Sequence, residues 1–387
     1  MRPKELPFIE WMKALGMSVI VYGHVAHGTT EPLTPPIYLK QFGVAFFLFA
    51  AGFTLARERR SAFEAVFNRL FQVYLFGISL ALILTIANVL AGGRGAPSNY
   101  LPFAAGVNVV FDNFPANPTT WYLGTYLHLL VIWAVCLRRV RVRMWMVFAA
   151  LALEVPIRAF LMASAGRFVA YMLFTNWAAV FLLGLLRGGE EAALKGRATN
   201  GVRPAWRRRE AETVAQPFRA AGRGYTVALI AFLATWASLT QLLPFERTFP
   251  LQSLHGWPTL AGLLFVSASV SLLYSSTTAL LFEATRHLKT APGPVAFIAR
   301  NSLIIFLVHM PVYYVLTPLL VAWTTSYWTR VAIQLLVCLP GLGLLSEGIV
   351  GVVRPGSLRG PVFEWINMRV RIGKHAGVAM AQQGAVR

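Results

Sequence analysis

The chain has 387 residues, of which 57% are hydrophobic and 13% charged, and it carries a formal charge of +20. Soluble domains hold about 25% charged residues, so this composition argues against a water-soluble globular fold and for the bilayer as solvent. The Lys and Arg excess lacks the basic–aromatic interleaving of a nucleic-acid surface, so no nucleic-acid partner is expected.

A bilayer span takes about 20 apolar residues. Ten candidate runs follow one another: 8–26, 38–56, 67–91, 119–137, 144–163, 168–186, 224–243, 257–282, 301–322 and 331–353. The first is interrupted by Glu10 and Lys13 and leads to no clear small-x-small cleavage site, so it reads as a retained helix and not a signal peptide. The runs 67–91 and 257–282 are long enough to tilt or break. Between the sixth and seventh runs lies 187–223, the only long polar stretch, with nine basic and four acidic residues. It reads as a basic cytoplasmic loop inserted into one membrane domain spanning 1–353. The segment 354–387 reads as a flexible cytoplasmic tail.

The connections alternate in charge. Both termini and every second connection together hold 28 of the 35 Lys and Arg. The opposite face holds Lys40, Arg94, Arg158, Arg167, Arg247 and Arg330. By the positive-inside rule both termini face the cytoplasm. The expected fold is an all-α integral membrane protein of about ten transmembrane helices. Cys136 and Cys338 lie in or beside apolar runs without metal spacing or an evident disulfide framework. No His, Asp and Glu cluster has ligand spacing, so no metal is expected.

The first run carries the chemistry that needs explaining. Glu10 and Lys13 are three apart and share a helix face. His24 follows Lys13 by eleven residues, close to three turns and about 16 Å along the axis, so Lys13 and His24 mark the two ends of one stripe. Ionisable groups within a membrane are costly and face a bundle interior or cavity. A helix-internal ion pair beside an interfacial His accounts for the same residues. Elsewhere, Glu154 and Arg158 are four apart and are expected to pair. His309, before Pro311, is placed a third to halfway across its run. It either lines a cavity or packs with a hydrogen bond. His128 and Glu347 have no evident partner. His27, Asp112 and His255 fall on the outer side.

The stretch "FIEWMKALGMSVIVYGH" resembles the opening helix of the acyltransferase-3 family, in which an acidic residue, then Arg or Lys three later, then His eleven after that recur. "FGVAFFLFAAGFTL" (42–55), "RLFQVYL" (69–75), "TTWYLGTYL" (119–127) and "NSLIIFLVHMPVYY" (301–314) resemble later family helices, in order. The chain departs from the family where Ala65 stands in place of a first Arg before Arg69, and where Val73 stands in place of a common Pro. The resemblance implies an enzyme of the bacterial inner membrane that moves an acyl group, most often acetyl, from acyl-CoA as co-substrate to a hydroxyl of a cell-envelope carbohydrate or glycolipid. No cofactor is expected to stay bound. On this basis His24 is the candidate general base, with Glu10 orienting Lys13. Lys13 and Arg69 are candidates for holding the donor, and Trp121, Tyr122 and His309 for lining the acceptor site. An ion-coupled secondary transporter of a small solute or glycan is the alternative, since ten helices with buried Glu, Lys and His also suit proton coupling. No inverted repeat or pair of broken helices favours it. A purely structural membrane protein is the third reading.

Overall fold

The computed structural model describes residues 6–25, 39–93, 100–110, 118–165, 167–199, 226, 230 and 260–384. Among them there is helix and no strand, which follows from a solvent that offers no hydrogen bonds to an open backbone. The elements are α1 (Pro7–Val25), α2 (Leu39–Ala56), α3 (Ala62–Leu90), α4 (Tyr100–Ala104), α5 (Trp121–Ile132, continued by a π turn Trp133–Leu137) and α6 (Met144–Ser164). They continue with α7 (Arg167–Met172), α8 (Ala178–Thr199), α9 (Leu260–Thr285), α10 (Gly293–Trp323), α11 (Tyr327–Ile333), α12 (Leu339–Val353) and α13 (Pro355–Gly384). A π turn, Gln334–Cys338, joins α11 to α12 in one rod.

Among the described residues, five helices are long and apolar enough to cross a bilayer: α3, α6, α9, α10 and the 327–353 rod. Gln41–Ala56 and Trp121–Leu137 are shorter apolar helices. The seventh expected run, 224–243, lies almost wholly outside the described residues. The sixth run is not one helix. It breaks at a short turn, Phe174–Asn176, between α7 and α8. There the Asn176 Nδ2 and Trp177 Nε1 groups both donate to the Tyr171 carbonyl, at 3.1 and 3.2 Å. Glu154 then caps the new helix start by accepting from the Ala179 N–H at 2.7 Å. α8 continues through position 199, so the expected loop from 187 begins as helix. The expected flexible tail likewise carries α13, anchored where Phe363 meets Phe63 and Phe67 of α3 at ring distances of 5.7 and 5.1 Å.

The centre of the bundle is α1, α2 and α8. α2 packs most extensively on α8 and then on α1, and α1 packs on α10. Between lipid-soluble helices association needs close backbone approach, which small residues permit. A Cβ on Gly184 would lie 2.2 Å from the Phe49 carbonyl oxygen, and one on Gly52 would lie 2.3 Å from that of Phe181. Those distances fix two of the glycines that let α2 and α8 touch.

The basic connections meet at one end. Arg138 donates to the Arg60 carbonyl at 2.7 Å. Arg187 pairs with Glu283 at 3.4 Å, and Arg286 pairs with the same carboxylate at 2.8 Å. Phe8, near the start of α1, packs on Phe53 and Phe282 at ring distances of 4.8 and 5.4 Å. The start of α1, the end of α2 and the end of α9 therefore share this arginine-rich end.

Candidate active site

α1 and α10 both start at the arginine-rich end and run side by side. His24 lies 17 residues from the start of α1 and His309 lies 16 from the start of α10, so each is about 25 Å deep. The two side chains meet, with ring centroids 5.0 Å apart and planes inclined by 53°. His24 is half-buried. His309 is fully buried, and its Nδ1 lies 2.7 Å from the Phe306 carbonyl oxygen. A carbonyl oxygen only accepts, so Nδ1 carries a proton in this contact. One turn beyond His309, Tyr313 packs its ring 5.9 Å from the imidazole. Between them Pro311 removes an N–H from the helix ladder, and α10 continues through it.

A row of aromatic rings leads away from the histidines. Phe306 is 5.7 Å from His309, and Tyr122 is 5.1 Å from Phe306. Tyr122 also stacks on Tyr126 at 5.8 Å. On the far side of Tyr122, Trp121 joins Tyr171 and Trp177, and Trp177 stacks on Tyr274 at 5.2 Å. Tyr122 thus stands one ring from the histidines, whereas Trp121 is a core side chain, 7% exposed.

The opposite end has different chemistry. Arg69 donates to the Thr54 hydroxyl at 3.1 Å and faces Glu58 at 3.8 Å. The Glu58 carboxyl is held down at about 2, chiefly by its hydrogen bonds to the Arg60 side chain. A cleft of about 380 Å³ opens one helix turn beyond Arg69, at Gln72, between α3, α10 and the 327–353 rod. Phe76, Ile304 and Ser346 also line it, and Arg300 and Glu347 form an ion pair at its wall. Glu347 therefore does have a partner, as it also meets Asn301.

The family model described as an acyltransferase domain matches residues 6–346. The chain belongs to the acyltransferase-3 family. No curated protein and no solved structure gives a significant match. In this acyltransferase-3 chain the structure unites His24 with His309, brings Tyr122 to their edge, and leaves Arg69 at the other end of the bundle. Glu10 and Lys13 stay half-buried on α1 near that end, Lys13 about 16 Å along the axis from His24. Glu154 and Arg158 do approach, at 4.0 Å, but their stronger bonds go elsewhere. Arg158 donates to the Ser267 carbonyl at 2.7 Å and to Asn176 Oδ1, and Glu154 accepts from Ser271 at 3.1 Å. That network ties α6, α8 and α9 together. His128 rests edge-on against Phe174 at 5.4 Å. His27, Asp112 and His255 lie outside the described residues.

Sequence reading missed Tyr313, whose only signal is its spacing of four from His309. It also missed Tyr22 and Tyr327, whose hydroxyls bond at 3.0 Å. Nothing in either local sequence announces that contact.

Proposed function

We propose that this membrane acyltransferase moves an acyl group, most readily acetyl, from cytoplasmic acyl-CoA to a hydroxyl of a cell-envelope carbohydrate or glycolipid, with His24 as general base. The observation that carries the reading is the His24–His309 ring pair. Two imidazoles joined by one N–H···N bond have centroids about 5 Å apart, so the observed spacing suits such a contact. In the reacting enzyme, with the His309 proton held on Nδ1 by the Phe306 carbonyl, Nε2 would accept a His24 N–H, a bond the ring contact does not itself make and that a turn of the His24 ring would form. His24 then keeps its other nitrogen basic and aimed away from His309. This is the base-and-orienter arrangement that activates hydroxyl groups.

In the reaction the acceptor hydroxyl oxygen attacks the thioester carbonyl while His24 takes its proton. The tetrahedral intermediate collapses, the C–S bond breaks, and the CoA thiolate leaves with the proton returned from His24. The donor is polyanionic. The arginine-rich end offers it attraction, with Arg69 and Lys13 along its path and Glu10 orienting Lys13. The cleft of about 380 Å³ at Gln72 has the size of a small-molecule site and suits the pantetheine arm. Tyr122 stands where a sugar ring can stack. The excess of basic residues at this end supports a cytoplasmic position for it and for both termini, in a protein of the bacterial inner membrane.

The test uses sealed inner-membrane vesicles of both orientations, containing matched amounts of the protein, and acetyl-labelled acetyl-CoA. Label entering glycan or lipid in inside-out vesicles, and not in right-side-out ones, supports the donor side. Equal transfer from both sides defeats it.

A further inference from the structure

Arg330 and Gln334 are one helix turn apart at the His24 end of the bundle. Their rod reaches α1 through the Tyr327–Tyr22 hydroxyl bond, two residues from His24, and the π turn that begins with Gln334 packs on α1 as well. Arg330 is 8% exposed, and Gln334 is 1% exposed. A guanidinium has five N–H donors. Among the described residues this one makes a single hydrogen bond, from Nη1 to the Thr324 carbonyl at 3.3 Å. Among the described residues its Nε has no acceptor, and no carboxylate forms an ion pair with it. The Gln334 Oε1 is also unsatisfied. A buried charge without a counter-charge is expensive, more so in a membrane.

The surroundings say from which direction a counter-charge comes. The Thr324–Ser326 turn next to Arg330 lies at the surface. It is flanked by Trp323 and Trp328, 71% and 56% exposed. Exposed tryptophans mark the level of the headgroups. Arg330 therefore sits about one turn inside the headgroup layer, on the rod that packs beside His24.

We infer that Arg330, with Gln334, is an oxyanion subsite that receives a phosphate or carboxylate carried by the acceptor as it approaches His24 from the interface. The subsite rests on the acyltransferase reading for its purpose. Its occupancy does not depend on turnover. The planar fork of Arg binds a tetrahedral or carboxylate oxyanion through two N–H groups, and the Gln334 side chain lies beside it to contact the attached sugar or linker. An acceptor bearing such a group would be held while its hydroxyl meets His24.

The experiment measures thermal unfolding of the protein in neutral phosphatidylcholine nanodiscs. Three single-chain probes are added separately: dodecyl phosphate, dodecyl glucuronide and the neutral dodecyl glucoside. The wild type gains about 5 °C in Tm from an anionic probe at saturation and nothing from the glucoside. A gain from the phosphate alone identifies a lipid-borne phosphate as the group, and a gain from the glucuronide alone identifies a sugar carboxylate. Arg330→Gln loses the gain and, without probe, is as stable as the wild type or more so, because an uncompensated charge has been removed. Arg330→Lys keeps the charge and loses at least half of the gain, which serves if the Gln variant does not fold. Equal gains in wild type and variants overturn the inference, as does an Arg330→Gln protein that folds but melts well below the wild type. Neither readout needs acyl transfer, so failure here and failure of the acyltransferase reading are separable.

Discussion

Replacing Glu154 by Ala tests whether the α6–α8–α9 network is structural. Glu154 is 3% exposed and Arg158 is 2% exposed. The carboxylate accepts from the Ala179 N–H at 2.7 Å and the Ser271 hydroxyl at 3.1 Å, with Arg158 at 4.0 Å. Its removal leaves a buried guanidinium without counter-charge and orphans the first N–H groups of α8. Breaking one side of a buried pair costs about 3–5 kcal/mol. For a chain of this size that corresponds to a fall in Tm of about 4–6 °C. Adding Arg158→Met should return part of the loss, since the stranded charge goes with it, with a coupling of about 0.5–3 kcal/mol. The assay is thermal unfolding of purified protein in one detergent, followed by tryptophan fluorescence. A Glu154→Ala protein that melts within about 1 °C of wild type would refute the reasoning, as would a double variant that loses the sum of both single effects.

Gly184→Val should separate α2 from α8, because its Cβ starts 2.2 Å from the Phe49 carbonyl oxygen. The expected cost is about 1–3 kcal/mol, while Gly189→Ala, with open space around its Cβ, should be neutral or slightly stabilising. Glu58→Gln should remove an acid-sensitive part of stability. The folded carboxyl is held down at about 2, below the ordinary glutamate value of 4.5, so its contribution is whole above 4.5 and is lost as pH falls from 4.5 towards 2. The Tm gap between wild type and Glu58→Gln should close over that window. His309→Asn keeps a donor for the Phe306 carbonyl and removes the nitrogen facing outward. It should lower kcat by about 10–100-fold with the KM for acyl-CoA unchanged, and His309→Gln should recover part of the rate.

Much of the helical layout was legible because apolar runs of bilayer length have few other uses. The spacing of Glu10, Lys13 and His24 was legible for the same reason that it is informative: ionisable groups stand out against an apolar helix. The depth of His309 was not. Hydropathy puts the start of its run at 301, because Arg300 and Asn301 look like a boundary. In the structure Arg300 pairs with Glu347 and Asn301 accepts from Ser346 at 2.9 Å, so the helix begins eight residues earlier, at Gly293. That shift moves His309 to the level of His24. The break of the sixth run was hidden in the same way, since the cap on the new helix start comes from Glu154 on a different helix. Arg330 read as a stray basic residue of the outer face. Its burial depends on the register of the 327–353 rod against α1, which no local pattern states.

The central claim is that His24 removes the acceptor proton. Its most direct test is a comparison of wild type and His24→Gln at matched amounts in the same membranes, with acetyl-labelled acetyl-CoA supplied on the arginine-rich side. The label entering glycan and lipid fractions is counted across pH. The account predicts loss of about 10²–10⁴-fold in the variant, together with loss of the histidine limb of the wild-type pH profile. Transfer at the wild-type rate and with the wild-type pH profile would contradict it.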